Sequence, residues 1–234
     1  MKKEIASFWS LTARATLPIT LLAAAVMTAG EILLFPWMTA DVMQPELAFS
    51  GTPPIILFMA AMAAVYVWFC LRGLFGAKNA LPVMRLGLSD RAVFLTMAAQ
   101  NAFCLLILWA WQTGLAIALA VWWCRTHPAL VGPQSVFVAF WRAPFLHGLL
   151  PLSDWPVWVR NILLCCALGV CAAKASLTRH IVGPLIVGLL AIFLFPTPMG
   201  STTLVWIEII VLVFALAIDF SSGRDFRRLA EVSV

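Results

Sequence analysis

An all-α, polytopic membrane protein is the fold class this sequence predicts: six transmembrane helices with both termini cytoplasmic, preceded by an amphipathic interfacial helix. Three observations carry that expectation. The chain of 234 residues is 63% hydrophobic and only 11% charged, with a mean hydropathy of +1.01, whereas a soluble domain is about half apolar and about a quarter charged. Its apolar residues fall in runs long enough to cross a hydrocarbon core of about 30 Å, with charges between the runs. Its basic residues gather in every second connection. So few charges cannot cover a water-facing surface, which excludes a nucleic-acid reader, a secreted disulfide scaffold and a cytosolic enzyme.

The whole chain reads as one transmembrane domain. Over residues 1–16, Ile5, Phe8, Trp9 and Thr12 lie along one helical stripe, with Lys2, Lys3 and Glu4 near its start and Arg14 at its end. This suits a helix lying on the cytoplasmic surface, the alternative being a frayed tail. Residues 17–218 hold the six-helix bundle, its first span at 17–38. Two lysines ahead of an apolar run resemble a secretory signal, but the basic region is long and contains Glu4 and Arg14, and the run continues through Ile32 to Met38. That is too long for a signal's apolar region, so the segment reads as a retained span.

The second span is 54–71 and the third 94–123. Ser89 can cap the third helix, with Asp90 favourable at its positive end. The connection 124–155 contains Ser135, Val136, Phe137, Phe140 and Trp141 ahead of Pro144, a pattern for a short amphipathic helix begun by Ser135 and stopped before Pro144. Trp122, Trp123, Trp155 and Trp158 sit at the same water interface, as in an aromatic belt. The fourth span is 156–173, with Arg160 near its start. The fifth is 181–195, where Pro184 is tolerated if neighbours satisfy the freed carbonyl. The sixth is 202–218, and 219–234 forms a cytoplasmic tail.

Orientation follows from lysine and arginine. Twelve basic residues, at 2, 3, 14, 72, 78, 85, 91, 174, 179, 224, 227 and 228, fall on the side of the N-terminus, against Arg125, Arg142 and Arg160 on the other. That side is the cytoplasmic one by the positive-inside rule. The net charge of +5 then orients the protein and attracts anionic lipid, with no nucleic-acid partner implied.

No segment outside the spans is large enough to fold as a soluble domain. There is no GxxxxGK[ST], so the chain has no P-loop, and HExxH and GxSxG are absent as well. The six cysteines form no CxxC pair and read as small apolar packing residues, with no metal site.

Ionisable groups at depth cost at least about 2.5 kcal/mol near the membrane centre, which makes each a functional candidate. Glu31 lies seven residues from the outer end of span one and Glu208 six from the outer start of span six, both about 10 Å below the outer boundary. Gln100, Asn101 and Gln112 add neutral hydrogen-bonding groups. One expectation is that Glu31 and Glu208, with Gln112 and Asn101, face a polar cavity or outer gate and contact a cationic substrate or carry a proton. The other is that each acid is protonated or bonded to Gln112, Arg142 or a carbonyl and fixes helix packing.

The inner connection between spans two and three carries Arg72, Lys78, Arg85 and Arg91 among apolar residues that need a cover, either a cytoplasmic partner or the headgroup region. Together with the amphipathic N-terminal segment and six spans with both ends inside, its stretch Leu81-Pro-Val-Met-Arg-Leu-Gly-Leu-Ser-Asp-Arg-Ala-Val-Phe94 resembles the permease subunits of type-2, exporter-type bacterial ABC transporters. The resemblance implies a multi-pass protein of the bacterial cytoplasmic membrane that exports a substrate such as a peptide, lipid or drug. It implies a second permease subunit, identical or similar, and a separate ATPase that binds ATP and Mg, with no cofactor held by this chain. Leu81, Pro82, Arg85, Leu86, Leu88, Ser89, Asp90 and Arg91 would form the loop that couples to that ATPase. A rival class is an ATP-independent carrier, channel or non-catalytic membrane subunit using Glu31 and Glu208 for proton or cation coupling. An intramembrane enzyme using those acids and His147 ranks last, because no nucleophile or metal constellation accompanies them.

Overall fold

A computed structural model describes residues 2–43, 45–50, 52–75, 88–130, 135–152, 154–178, 181–193 and 202–222. Among the described residues the chain is all helical, with no strand. In order the helices are α1 (Lys2–Met38), α2 (Pro45–Ser50), α3 (Thr52–Phe75), α4 (Asp90–Thr126), α5 (Ser135–Arg142), α6 (Pro144–Leu149), α7 (Trp155–Thr178), α8 (Val182–Ile192) and α9 (Thr202–Ser222). A 3₁₀ turn, Pro128–Leu130, follows α4. Four stretches are long and apolar enough to cross a membrane: Lys3–Met38, Leu47–Arg72, Asp90–Thr126 and Trp155–Thr178. The fifth and sixth expected spans appear as shorter apolar helices, Val182–Ile192 and Val205–Ala217. Eleven residues of α8 reach about 16 Å, half of a hydrocarbon core.

At the N-terminus the expected interfacial segment and the first span share one helix, since α1 runs from Lys2 through Thr16 into the span without a break. Of the stripe expected on lipid, Phe8 and Thr12 are buried and Ile5 and Trp9 half-buried: Phe8 joins Val93, Phe94, Met97, Ala98, Val170 and Ala173 in one cluster. Pro18 lies inside α1 and removes only the bond to the Arg14 carbonyl. Thr12, Thr16, Thr20 and Thr28 keep their hydroxyls satisfied on the same helix, each donating to the carbonyl four residues before at 2.7 to 3.1 Å.

The third span behaves as its cap predicts. Ser89 adopts extended backbone and its hydroxyl accepts from the Ala92 amide at 3.3 Å, with Asp90 in the first turn. Among the described residues, the most extensive helix packing is α4 on α7. A Cβ built on Gly169 would stand 2.7 Å from both the Ala98 carbonyl oxygen and the Ala102 amide nitrogen, so only glycine lets these backbones approach so closely.

Helices α1 and α3 pack together, α1 also lies on α4, and α3 also lies on α7. Helix α9 packs on α7, while α8 packs on α3 and α7. Tyr66 of α3 donates its hydroxyl to the Pro184 carbonyl of α8 at 2.6 Å, and the absent Gly188 side chain makes room for its ring. Thr16 meets Gln100 and Thr28 meets Trp111, so α1 and α4 run parallel. The end of the bundle near Phe8, Arg91 and Lys174 is the basic end. At the far end, α5 and α6 pack on each other and on α2 and α4, and Phe145, Leu146 and Leu149 of α6 are buried.

Candidate functional site

Buried polar side chains gather in two centres, each built where an apolar helix carries a polar residue toward a neighbour. The first is a seam between α1 and α4. At its basic end the Gln100 amide donates to the Thr16 hydroxyl at 3.4 Å and contacts the Cys104 sulfur at 3.7 Å. Further along, the Trp111 indole donates to the Thr28 hydroxyl at 2.9 Å. One turn beyond, Glu31 is fully buried and faces Gln112 of α4. Neither carboxylate oxygen of Glu31 nor either polar atom of the Gln112 amide closes a hydrogen bond among the described residues. Buried polar atoms normally find a partner, and leaving one unmade costs about 1 to 3 kcal/mol, more for a charge. The Glu208 carboxylate oxygens close none either, but an arginine stands beside them, so the Glu31–Gln112 pair is a place where a ligand, a proton or a moving helix has something to gain.

The second centre lies at the far end, between α7 and α9. Arg160 is almost fully buried, with its Nη1 3.6 Å from Glu208 Oε2. Its Nε and Nη2 donate to Asn161 Oδ1 at 3.2 and 2.9 Å. The Asn161 amide in turn donates to the Gly148 carbonyl of α6 at 2.8 Å. Two tryptophans fasten the same region: Trp109 donates to the Leu149 carbonyl at 3.1 Å and Trp158 to the Pro151 carbonyl at 2.7 Å. Outside them, His147 Nε2 stands 3.0 Å from Asp154 Oδ2, and Trp155 meets Trp206 edge-on at 5.2 Å.

The structure thus brings Glu31 and Gln112 together and puts Glu208 with Arg160. The two acids lie on different helix pairs. Asn101 belongs to neither centre, since its amide donates to the Gly169 carbonyl at 3.5 Å across the α4–α7 contact. Arg142, a considered partner for the acids, is exposed on α5. Of the coupling-loop residues, Leu88, Ser89, Asp90 and Arg91 are described, with Leu88 packed on the Phe8 cluster. Leu81, Pro82, Arg85 and Leu86 lie outside the described residues, as do residues 223–234 of the expected tail. Among the described residues all six cysteines are free thiols and no group of three or more metal-ligating side chains gathers.

Arg160 and Asn161 are what the sequence reasoning passed over. Arg160 read as an interruption of a span, yet a charge inside an apolar run was itself the signal, since such a residue needs a partner from another helix. Comparison with protein-family models, curated proteins and solved structures finds no match.

Proposed function

We propose that this chain is the membrane-spanning permease subunit of an exporter-type ABC transporter, moving a substrate across a bacterial cytoplasmic membrane with ATP hydrolysed by a separate ATPase subunit. The observation that carries the reading is the apolar cluster at the basic end. There the N-terminal part of α1 (Phe8), the exit of the basic connection (Leu88, Val93, Phe94) and the end of α7 (Val170, Ala173) meet in one packed unit, with Leu216 of α9 against it. A force applied to that connection by a docked ATPase reaches three spans at once, which is what a switch between inward- and outward-open states needs.

Six crossings with both ends on the cytoplasmic side fit the chain path. Residue 178 ends α7 at the basic end, Pro184 and Gly188 of α8 lie against Tyr66 midway along α3, and Trp206 meets Trp155 at the far end. In this reading α8 rises from the basic end and α9 returns to it. The partner permease, identical or similar, completes the pathway, and Glu31 with Gln112 is its polar centre.

The test is affinity purification of the tagged chain from its native membrane. An ATP-hydrolysing subunit should accompany it, and Arg91→Glu should weaken that association; a preparation with no ATPase sinks the reading. A second reading, an ATP-independent carrier or channel, is favoured by the buried Glu31 carboxylate, which faces an amide and, among the described residues, no basic side chain. It requires gradient-driven uptake into liposomes that hold this chain alone.

A further inference from the structure

Glu208, Arg160, Asn161 and Gly148 form an unbroken line from the last helix to the short helix α6. Glu208 on α9 meets the buried guanidinium of Arg160 on α7 at 3.6 Å. The same guanidinium clamps Asn161 Oδ1 with two N–H groups, which fixes the orientation of the Asn161 amide. With its oxygen so occupied, the amide's Nδ2 is aimed at the Gly148 carbonyl, 2.8 Å away. Helix α6 has only six residues, too few to be stable alone. Its apolar side chains are nonetheless buried in the far end of the bundle, Phe145 against Phe58 of α3 at 6.4 Å.

We propose that these four residues are a latch by which α9 holds α6 as a plug in the far end of the bundle, so that moving α9 away from α7 releases the plug. When Glu208 withdraws, the buried Arg160 gives up that ion pair and turns toward other acceptors or water. Asn161 then loses the clamp on its oxygen, its amide is free to rotate, and the Gly148 carbonyl loses its donor. Arg160 and Asn161 are positioning residues: they hold a segment and touch no substrate. The proposal is independent of the transport reading, because it concerns only how one part of this chain holds another.

Amide hydrogen exchange of the full-length protein in lipid nanodiscs tests it. Asn161→Ala breaks the last link and should speed exchange of residues 145–150 by about tenfold, the size expected for one lost buried hydrogen bond. Glu208→Gln acts from the other end of the line and should speed the same amides by at least about threefold, while residues 97–108 in the middle of α4 keep their protection. Fast exchange at 145–150 in Asn161→Ala but not in Glu208→Gln overturns the coupling to α9. Unchanged exchange in both overturns the latch. If Glu208→Gln also loosens 97–108, Glu208→Asp, which keeps the charge on a shorter arm, takes its place with the same two outcomes.

Discussion

Glu31 and Glu208 are both carboxylates in apolar helices, but Glu31 faces an amide and Glu208 faces an arginine. Around Arg160 the line runs from an ion pair through a clamped amide to a backbone carbonyl, although neither Glu208 oxygen closes a hydrogen bond among the described residues. Around Glu31 the carboxylate and the Gln112 amide leave their polar atoms unbonded. The contrast separates two uses of buried polarity. A charge-paired network fixes one arrangement of helices, whereas a carboxylate that faces only an amide raises the energy of the arrangement it sits in and favours whatever supplies a stronger partner.

The contrast can be broken by substitution, and the largest effect is expected at Arg160. Arg160→Met strands the Glu208 carboxylate and unclamps Asn161, and should lower stability by about 3 kcal/mol or more in equilibrium unfolding from mixed micelles. A loss near zero would mean that the far-end network holds nothing. Gly169→Ala comes next, since its methyl collides with backbone atoms of α4; separating α4 from α7 should cost about 2 kcal/mol in the same assay. It perturbs the shared wall of both centres, so an effect confined to one of them would argue that they are mechanically isolated. Thr28→Val deprives the Trp111 indole of its acceptor and should cost about 1 kcal/mol.

The smallest stability change is expected at Glu31. Glu31→Gln removes no ion pair and supplies an amide that can bond to Gln112, so stability should stay within about 1 kcal/mol of the parent or rise. Export measured in inverted vesicles should fall in the same variant. A destabilisation as large as that of Arg160→Met would erase the distinction between the two centres, and full export would remove Glu31 from the pathway.

Much of this architecture is legible in the sequence because it depends on composition and local signals. The apolar runs place α3, α4, α7 and α9 within a few residues of their observed ends, Ser89 marks the start of α4, and Ser135 and Pro144 bound α5. The pairing of Glu31 with Gln112 was one of the alternatives that matching polar residues at similar depth allowed. The partner of Glu208 was not among them. Which arginine reaches a carboxylate depends on how α7 and α9 rotate against each other, and the close approach at Gly169 and the ring of Tyr66 that decide those rotations leave no mark in hydropathy. The continuity of α1 escaped for a similar reason. A stripe of Phe8 and Thr12 looks the same whether lipid or another helix covers it, and only the position of Phe94, far along the chain, decides between them.

The parallel course of α1 and α4 bears on how the protein is made. Parallel neighbours cannot be joined by a tight turn, so the whole of α3 must be threaded before the seam can close. Trp111 follows Thr28 by 83 residues, a gap of about 4 to 17 s at ordinary rates of synthesis. For that interval Glu31 has been made while Gln112 does not yet exist. The seam can therefore close only once the chain has been made through α4.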